Sequence, residues 1–365
     1  MNATTPRLFI AATEQNAGKT TTSLGLYAAL RKDFKRIGFI KPVGQRFIEI
    51  EGKQIDEDSV LIRDTFGTEV PIEDMSPIAV EPQFTRRYIN HANNDTLVRR
   101  IQHSFDRTAW EKDFAIIEGT GHAGVGSVFD LSNARVASLL KSKVLLITPA
   151  GIGRPIDEAA VNKALFDKEN VEVIGVIMNK VLEDRMESIA DIARRGFERL
   201  GLELLGMIPR ERMLAQPTLD QICHNIRGKF FQGAGRGRKR IDKAIIGAVS
   251  SHNILRGIEP DNLLIIPGDR EDAIHAVVAR SRGADGGPFC GMVLSDDMQP
   301  RKELADSIRQ SDLPVITSSL DSFIIASRIH SMTVKTLPGD TEKIDRIQSL
   351  VGTHVNIPRI LEKIR

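Results

Sequence analysis

The residues best suited to chemistry in this chain lie between Thr13 and Thr20, in the order Thr-Glu-Gln-Asn-Ala-Gly-Lys-Thr. A short apolar run at 8–12 precedes them, and residues 21–30 have the pattern of a helix. A strand, a tight loop ending in Gly-Lys-Thr and a helix is the layout of a phosphate-binding P-loop. Because loop amides and a helix N-terminus converge on one anion in such a loop, the stretch predicts a nucleotide site.

Each part of this loop has an expected role. Gly18 lets the backbone approach the phosphates, Lys19 adds a positive charge at the β- and γ-phosphates, and Thr20 offers a hydroxyl to Mg²⁺. Thr13 stands where the motif usually has its first glycine, so the assignment depends on the flanking strand and helix as well. The residues predicted to contact the nucleotide here are Thr13, Asn16, Ala17, Gly18, Lys19, Thr20 and Thr21.

Two carboxylates are candidate metal ligands. Glu118 ends the apolar strand predicted at 114–117, and ligands of open α/β sheets bind at the carboxyl ends of strands. We therefore expect Glu118 to hold Mg²⁺ directly or through water. Asp58 lies in Asp-Glu-Asp at the start of a helical run. It is either a second metal carboxylate or an acid that offsets the helix dipole.

Lys41 and His122 join Lys19 as candidate catalytic residues. Lys41 follows a strand predicted at 37–40, beside the P-loop strand, where a cation would neutralise a transferred phosphate or bind an anionic acceptor. His122 lies in the glycine-rich segment 119–127. It could contact a phosphate or transfer a proton, because imidazole titrates near neutrality; a solvated loop histidine is the alternative.

Asn179 is the candidate contact to the base. Asn179-Lys180 follows a predicted strand at 173–178, but Leu182 stands where a guanine-specific element has an aspartate. Guanine is therefore disfavoured, and Asn179 is expected to bond to adenine. ATP with Mg²⁺ is the predicted cofactor.

The order of apolar runs predicts an α/β fold with mostly parallel sheets and helices on both faces. The length of 365 residues favours two domains. We expect a P-loop domain over 1–226, a basic, glycine-rich linker over 227–243 and a smaller α/β domain over 244–365.

Composition excludes several classes of protein. A net charge of +2 gives no overall field for nucleic acid or membrane, and two cysteines exclude a disulfide framework. The basic cluster at 236–240 contains no aromatic residue to stack a base, so a solvated linker is favoured over nucleic-acid binding. No signal peptide or membrane-spanning run is apparent, which favours the cytoplasm.

The chain resembles the dethiobiotin synthetase-like branch of P-loop proteins, which also includes cobyrinic acid a,c-diamide synthases. The shared motifs are Thr-x-x-x-x-Gly-Lys-Thr at 13–20, Lys-Pro-Val at 41–43, an aspartate like Asp58, and Glu118-Gly119. Over about 1–350 it is similar to the amino-terminal region of long phosphate acetyltransferases, which joins this P-loop domain to a DRTGG domain. Pro-Gly-Asp-Arg-Glu-Asp at 267–272 and Asp-Ser-Phe at 321–323 carry the second part.

The resemblance implies two functions. One is Mg²⁺-dependent phosphoryl transfer from ATP to a small carboxylate or carbamate acceptor, or ATP hydrolysis. The other is a non-catalytic sensor of adenine nucleotide that reports to an enzyme of acetate metabolism. The acetyltransferase catalytic domain is expected to be lacking from this sequence, and a homodimer is implied by the resemblance alone.

Overall fold

The computed structural model describes residues 2, 4–282 and 290–365. The chain divides into two compact units. The first comprises the residues up to Glu211 together with Thr336–Arg365, and the second comprises Arg212–Lys335.

The first unit is built on strands covered on both faces. Its described strands are β1 Arg7–Ala12, β2 Ile37–Ile40, β3 Val43–Gly44, β4 Phe47–Ile50, β5 Lys53–Asp56, β6 Ile78–Ala79, β7 Phe114–Glu118, β8 Lys143–Pro149, β9 Val173–Val181 and β10 Leu204–Pro209. Six of them form a parallel sheet in the order β10-β9-β8-β1-β7-β2 among the described residues. Every residue of β1, β2 and β7 is buried, as expected for continuous apolar strands of a parallel sheet. The remaining strands form two short pairs, β3 with β6 and β4 with β5.

Helices connect these strands. They are α1 Lys19–Leu30, α2 Glu57–Phe66, α3 Ile72–Met75, α4 Phe84–Asn90, α5 Asp95–Ala109, α6 Asn133–Leu139, α7 Arg154–Lys168 and α8 Met186–Glu198. α2 shows how the sequence sets their ends. The Asp56 side chain accepts a hydrogen bond from the Asp58 amide at the N-terminus, and Gly67 ends the helix in the left-handed conformation at φ 64°.

The strand order places the loops after β1 and β7 side by side. From β1 the chain passes to β2 at one edge of the sheet, whereas from β7 it passes to β8 on the other side of β1. A ligand crevice forms at such a reversal, beyond the carboxyl ends of the strands. One sequence prediction is wrong here. The strand that carries Lys41 does not lie beside the P-loop strand, because β7 lies between β2 and β1.

The second unit has a sheet of its own. Its described elements are α9 Arg212–Ala215, α10 Leu219–Asn225, β11 Lys229–Gln232, β12 Lys243–Ile246, α11 Ser251–Gly257, β13 Asn262–Pro267, α12 Glu271–Arg282, β14 Gly291–Ser295, α13 Lys302–Arg309, β15 Val315–Thr317 and α14 Ser322–His330. The described strands run in the order β11-β15-β14-β13-β12. β11 is antiparallel to β15, and the other pairings are parallel.

The carboxy-terminal helices return to the first unit. They are α15 Thr341–His354 and α16 Ile357–Ile364. α15 packs so closely on α1 that a Cβ atom at Gly25 would lie 2.3 Å from a methyl carbon of Val351. This contact buries one face of the P-loop helix.

This division departs from the predicted domain boundaries. The segment 227–243 was predicted to be a linker, but it contains β11, in which Phe230 pairs with Ile316 and packs against buried apolar residues. The predicted second domain over 244–365 contains α15 and α16, which belong to the first unit. The predicted α/β class, with a mostly parallel sheet followed by a smaller α/β unit, is confirmed. No helix within the described ranges is long and apolar enough to cross a membrane.

Candidate nucleotide site

The predicted P-loop joins β1 to α1, and Gly18 fixes its shape. Gly18 has φ 106°, a conformation that residues with a side chain rarely adopt. A Cβ atom there would lie 1.9 Å from Nδ2 of Asn179. Gly18 offers no side chain to the first amides of α1, so these N–H groups remain suited to an anion.

Two residues of β9 donate hydrogen bonds to backbone carbonyls of the P-loop. Asn179 Nδ2 donates to the Ala17 carbonyl at 2.8 Å, and Lys180 Nζ donates to the Asn16 carbonyl at 2.7 Å. Asn179 Oδ1 accepts from the Lys180 amide at 2.8 Å. The buried Asn179 amide is therefore engaged with the loop, and its contact to adenine stays a prediction.

Lys19 and Thr20 reach the end of β7 and the loop that follows it. Lys19 Nζ donates to the Gly121 carbonyl at 3.0 Å, and the Thr20 hydroxyl donates to Glu118 Oε1 at 2.9 Å. Burial, with a smaller effect from the charge of Lys41, lowers the pKa of Lys19 to about 8, although Glu118 opposes this change. Three predicted site residues are thus brought together. Thr21 follows in the first turn of α1 and is half-buried.

The buried ammonium of Lys41 is surrounded by carboxylates. It contacts Asp58, and its Nζ lies 3.0 Å from Asp56 Oδ1 and 3.8 Å from Glu118 Oε1. Burial alone would lower the pKa of Lys41, but the three negative charges outweigh it and raise this pKa. Asp58 therefore does more than offset a helix dipole. It lies in the same cluster as Glu118.

Two carboxylates of the cluster, Glu118 and Asp56, have raised pKa values. Burial, together with the charge of Asp58, raises the pKa of Glu118 to about 7, and Lys41 reverses this only in part. Burial likewise raises the pKa of Asp56. Sequence reasoning missed Asp56, although it stands in the same Asp-Glu-Asp run as Asp58, because a helix-capping acid is a common structural feature.

The cluster has features that fit a bound cation. Glu118 Oε2 and Asp56 Oδ2 are buried oxygens without a hydrogen-bond partner in the described chain. Unpaired buried carboxylate oxygens are costly, and a hard cation prefers oxygen ligands. Among the described residues no group of three or more His, Cys, Asp and Glu side chains is arranged to hold a metal ion by itself. A Mg²⁺ ion there would therefore depend on the Thr20 hydroxyl, nucleotide oxygens and water as well as carboxylates.

His122 lies in the loop after β7 and is exposed. Its ring Nδ1 accepts a hydrogen bond from the Gly124 amide at 3.2 Å, which is a contact within its own loop. Its carbonyl accepts from Asn133 Nδ2 at 2.6 Å. The catalytic role predicted for His122 stays a prediction.

Asn162 is a residue of the site that sequence reasoning missed. It lies on α7, where its Oδ1 accepts from the Ala123 amide at 2.8 Å and its Nδ2 donates to the Thr13 carbonyl at 3.3 Å. It thus joins the P-loop to the loop after β7. Thr13 itself is buried, and its hydroxyl has no partner within the described residues. Its Nδ2 also donates to the Glu158 carbonyl within α7 at 2.8 Å. No local motif marks Asn162 as a site residue, because Ala123 and Thr13 are distant in sequence.

Comparison with known families identifies two domains in the chain. A family model described as an AAA domain matches residues 6–218, which is more than half of the chain. The chain belongs to this AAA domain family. A second model, described as a DRTGG domain, matches residues 221–332, downstream of the AAA domain.

Curated relatives of this AAA domain protein include phosphate acetyltransferases. Those of Pseudomonas aeruginosa and Nitrosomonas europaea are 27% and 25% identical, each over 95% of this chain and 50% of the relative. The enzyme of Synechocystis is 25% identical over 99% of this chain and 52% of its own length. The chain thus spans about half the length of the curated relatives it matches. These matches confirm the resemblance inferred from the motifs.

The solved structures to which the chain is similar include a putative plasmid partition protein from Borrelia burgdorferi bound to AMPPNP. It is 16% identical and covers 58% of this chain and 90% of its own, with a TM-score of 0.39. The CBS and DRTGG domains of a Clostridium perfringens pyrophosphatase are 15% identical over 48% of this chain and 86% of theirs, with a TM-score of 0.28.

Proposed function

We propose that the AAA domain binds Mg·ATP at the P-loop and hydrolyses it. The supporting observation is the connection of Lys19 and Thr20 to the end of β7. One residue contacts the Gly121 carbonyl and the other contacts Glu118, so the groups that would meet phosphate and metal share one edge of the sheet.

The proposed roles follow from the chemistry of each group. The first amides of α1 and Lys19 would hold the phosphates, while Thr20, Asp58 and Glu118 would hold Mg²⁺. A bound Mg²⁺ supplies positive charge that stabilises the transferring phosphoryl group. Adenine is proposed as the base because Leu182 stands in place of a guanine-selecting aspartate.

Water is the acceptor that the charge distribution favours. A small carboxylate acceptor needs a cation that is not already neutralised, and Lys41 was the candidate. In the structure Lys41 is ion-paired to Asp56 and Asp58 and lies near Glu118. The same pairing supports a second candidate function, in which nucleotide is bound without turnover and reported to a partner enzyme of acetate metabolism.

Phosphate release from Mg·ATP by the purified chain tests the proposal and separates the two candidates. We expect turnover that is lost in Lys19→Ala and retained in Lys32→Ala, an exposed lysine just beyond α1. Nucleotide binding without phosphate release would support the sensor. Turnover unchanged in Lys19→Ala would contradict the site assignment.

A further inference from the structure

Glu14 is an unfavourable residue for a loop that is proposed to bind phosphates. It is the one acidic residue between Thr13 and Thr20. Its carboxylate adds a negative charge beside a ligand that is itself a polyanion, and like charges in proximity oppose binding. Tight binding of ATP by this loop therefore requires a feature that offsets the charge of Glu14.

The backbone on both sides of Glu14 is fixed, which restricts where its side chain can lie. The Thr13 amide donates to the Ile147 carbonyl at 2.9 Å, and the Asn16 carbonyl accepts from Lys180 Nζ at 2.7 Å. Because the loop curls around one anion site, Glu14 stays within the field of bound phosphates, whose range is about 10 Å at about 0.1 M salt.

Arg154 is the counterion of Glu14. It begins α7, and its Nη2 lies 2.5 Å from Glu14 Oε2. Its Nε lies 2.5 Å from Oε1 of Glu158, one turn further along the helix. The two carboxylates thus contact different nitrogen atoms of one guanidinium, a geometry that arginine offers and lysine does not. Glu158 therefore orients the guanidinium for its contact with the loop.

A count of charges shows what Arg154 contributes. Lys180 also lies near Glu14, since burial lowers the pKa of Lys180 and the charge of Glu14 opposes this change. The local charges are those of Glu14, Glu158, Arg154 and Lys180. These two negative and two positive charges sum to zero, and without Arg154 one negative charge remains beside the P-loop. The contacts are those of the described structure, so this contribution requires no rearrangement.

We propose that Arg154 is a positioning residue for the phosphate-binding loop: by pairing with Glu14, it cancels the negative charge of the loop and sets its preference for nucleotides with more phosphates. This inference rests on the proposed function and deepens it, because it names the residues that tune the same P-loop for a triphosphate. Arg154 acts through Glu14 rather than on the nucleotide, and substitutions can separate these two actions.

Three variants separate them: Arg154→Gln, Glu14→Gln and the double variant. Binding of ATP and of AMP, each with Mg²⁺, is measured by competition with a fluorescent ATP analogue. We expect Arg154→Gln to weaken ATP binding by roughly threefold to tenfold at low salt and to affect AMP less, because AMP carries fewer charges. Glu14→Gln should bind ATP more tightly than the natural chain. The double variant should bind ATP within about twofold of the natural chain, because it removes one charge of each sign.

Salt dependence and a matched control distinguish this role from a merely structural one. Raising NaCl from about 0.05 M to about 0.5 M should reduce the effect of Arg154→Gln, since exposed charges are screened. A structural defect would weaken ATP and AMP alike and would not respond to salt in this way. The control is Arg195→Gln, which removes an exposed arginine of α8 paired with Asp191 at 2.9 Å. It should bind ATP like the natural chain.

Two results would overturn the role of Arg154 alone. One is unchanged ATP affinity in Arg154→Gln. The other is a double variant that binds ATP as weakly as Arg154→Gln, since Arg154 would then act on the nucleotide itself. Failure of the natural chain to bind ATP with Mg²⁺ would instead refute the proposed function, and the role of Arg154 would fall with it.

Discussion

Lys19 is a cation in a nearly buried position, so its charge depends on pH within an accessible range. Its pKa is lowered to about 8 by burial, with a further contribution from Lys41. Phosphates bound beside it would favour the protonated form, and nucleotide binding above pH 8 would therefore take up a proton. By linkage, affinity decreases as the pH rises through this value.

The first prediction is that ATP affinity falls above pH 8 by up to about tenfold per pH unit, the limit for one proton. Fluorescence titrations between pH 7 and pH 10 measure it. Lys19→Met, which has no charge to lose, should bind weakly with little dependence on pH. A constant affinity of the natural chain over this range would contradict the role of Lys19.

Glu118 leads to a second prediction, on stability. Its pKa is raised by burial to about 7 from an ordinary value of 4.5, so the folded chain binds a proton between these values that the unfolded chain has released. The contribution of Glu118 to the free energy of unfolding therefore decreases as the pH rises from about 4.5 to about 7. Glu118→Gln removes this pH-dependent decrease in the free energy of unfolding, because glutamine does not ionise.

We expect Glu118→Gln to be more stable than the natural chain at pH 8, with a smaller difference at pH 5, and to lose most of the Mg²⁺ dependence of ATP binding. Urea unfolding at the two pH values and titrations with and without Mg²⁺ measure both effects. The matched control is Glu111→Gln, an exposed glutamate before β7. Equal Mg²⁺ dependence in Glu118→Gln would argue against a ligand role.

At the scale of elements, the turn from β1 into α1 depends on Gly18 and on its contact with β9. Gly18→Ala would impose a strained left-handed conformation and a clash with Asn179 Nδ2. Such backbone strain costs about 1–3 kcal/mol. We expect a lower melting temperature and weaker ATP binding, and Asn179→Ala added to Gly18→Ala should relieve the clash but not the strain. Full recovery in the double variant would show that conformation at Gly18 does not matter.

The contacts of Asn162 predict that the P-loop and the loop after β7 are coupled. Its amide both accepts from Ala123 and donates to Thr13, whereas a carboxylate of the same shape can only accept. Asn162→Asp should therefore keep the first contact, lose the second together with the bond to the Glu158 carbonyl, and weaken ATP binding. Asn170→Asp, in the turn after α7, serves as the control. Unchanged nucleotide affinity in Asn162→Asp, measured by titration, would refute the coupling.

Local patterns predicted the elements more accurately than their arrangement. β2 was predicted at its observed bounds, and β1 and β7 were predicted within one residue of theirs, because the sequences of buried parallel strands are continuous apolar runs. Strand order could not be predicted from such runs, so the position of β7 between β1 and β2 was missed. The motif residues Lys19, Thr20 and Glu118 were found, whereas Asp56 and Asn162 act through contacts that no spacing rule encodes.

At the scale of the whole molecule, the first unit is discontinuous in sequence. Its carboxy-terminal helices lie beyond the second unit, and α15 packs on the P-loop helix at Gly25. The basic, glycine-rich composition of 227–243 suggested a linker, but Phe230 and Phe231 give β11 enough apolar surface to join a sheet. Local sequence patterns do not show that the chain returns to the first unit after more than a hundred residues.

This division predicts which cuts the protein tolerates. Cleavage after Gly237 would separate β11 from β12 and α15 from α1, so we expect both fragments to lose cooperative melting. The fragment 212–335 retains its whole sheet and should melt cooperatively by itself. Two stable halves from the cut at 237 would show instead that the chain divides at the basic segment.

The most direct test of the central claim is a titration of the full chain with fluorescent ATP, with and without Mg²⁺, comparing Lys19→Ala with Lys32→Ala. A charge-assisted contact contributes about 1.5–3 kcal/mol, so Lys19→Ala should weaken binding by roughly tenfold to a hundredfold. Lys32→Ala should bind like the natural chain, and omission of Mg²⁺ should weaken binding in both Lys32→Ala and the natural chain. Equal affinity of Lys19→Ala and the natural chain would contradict the assignment of the P-loop as the nucleotide site.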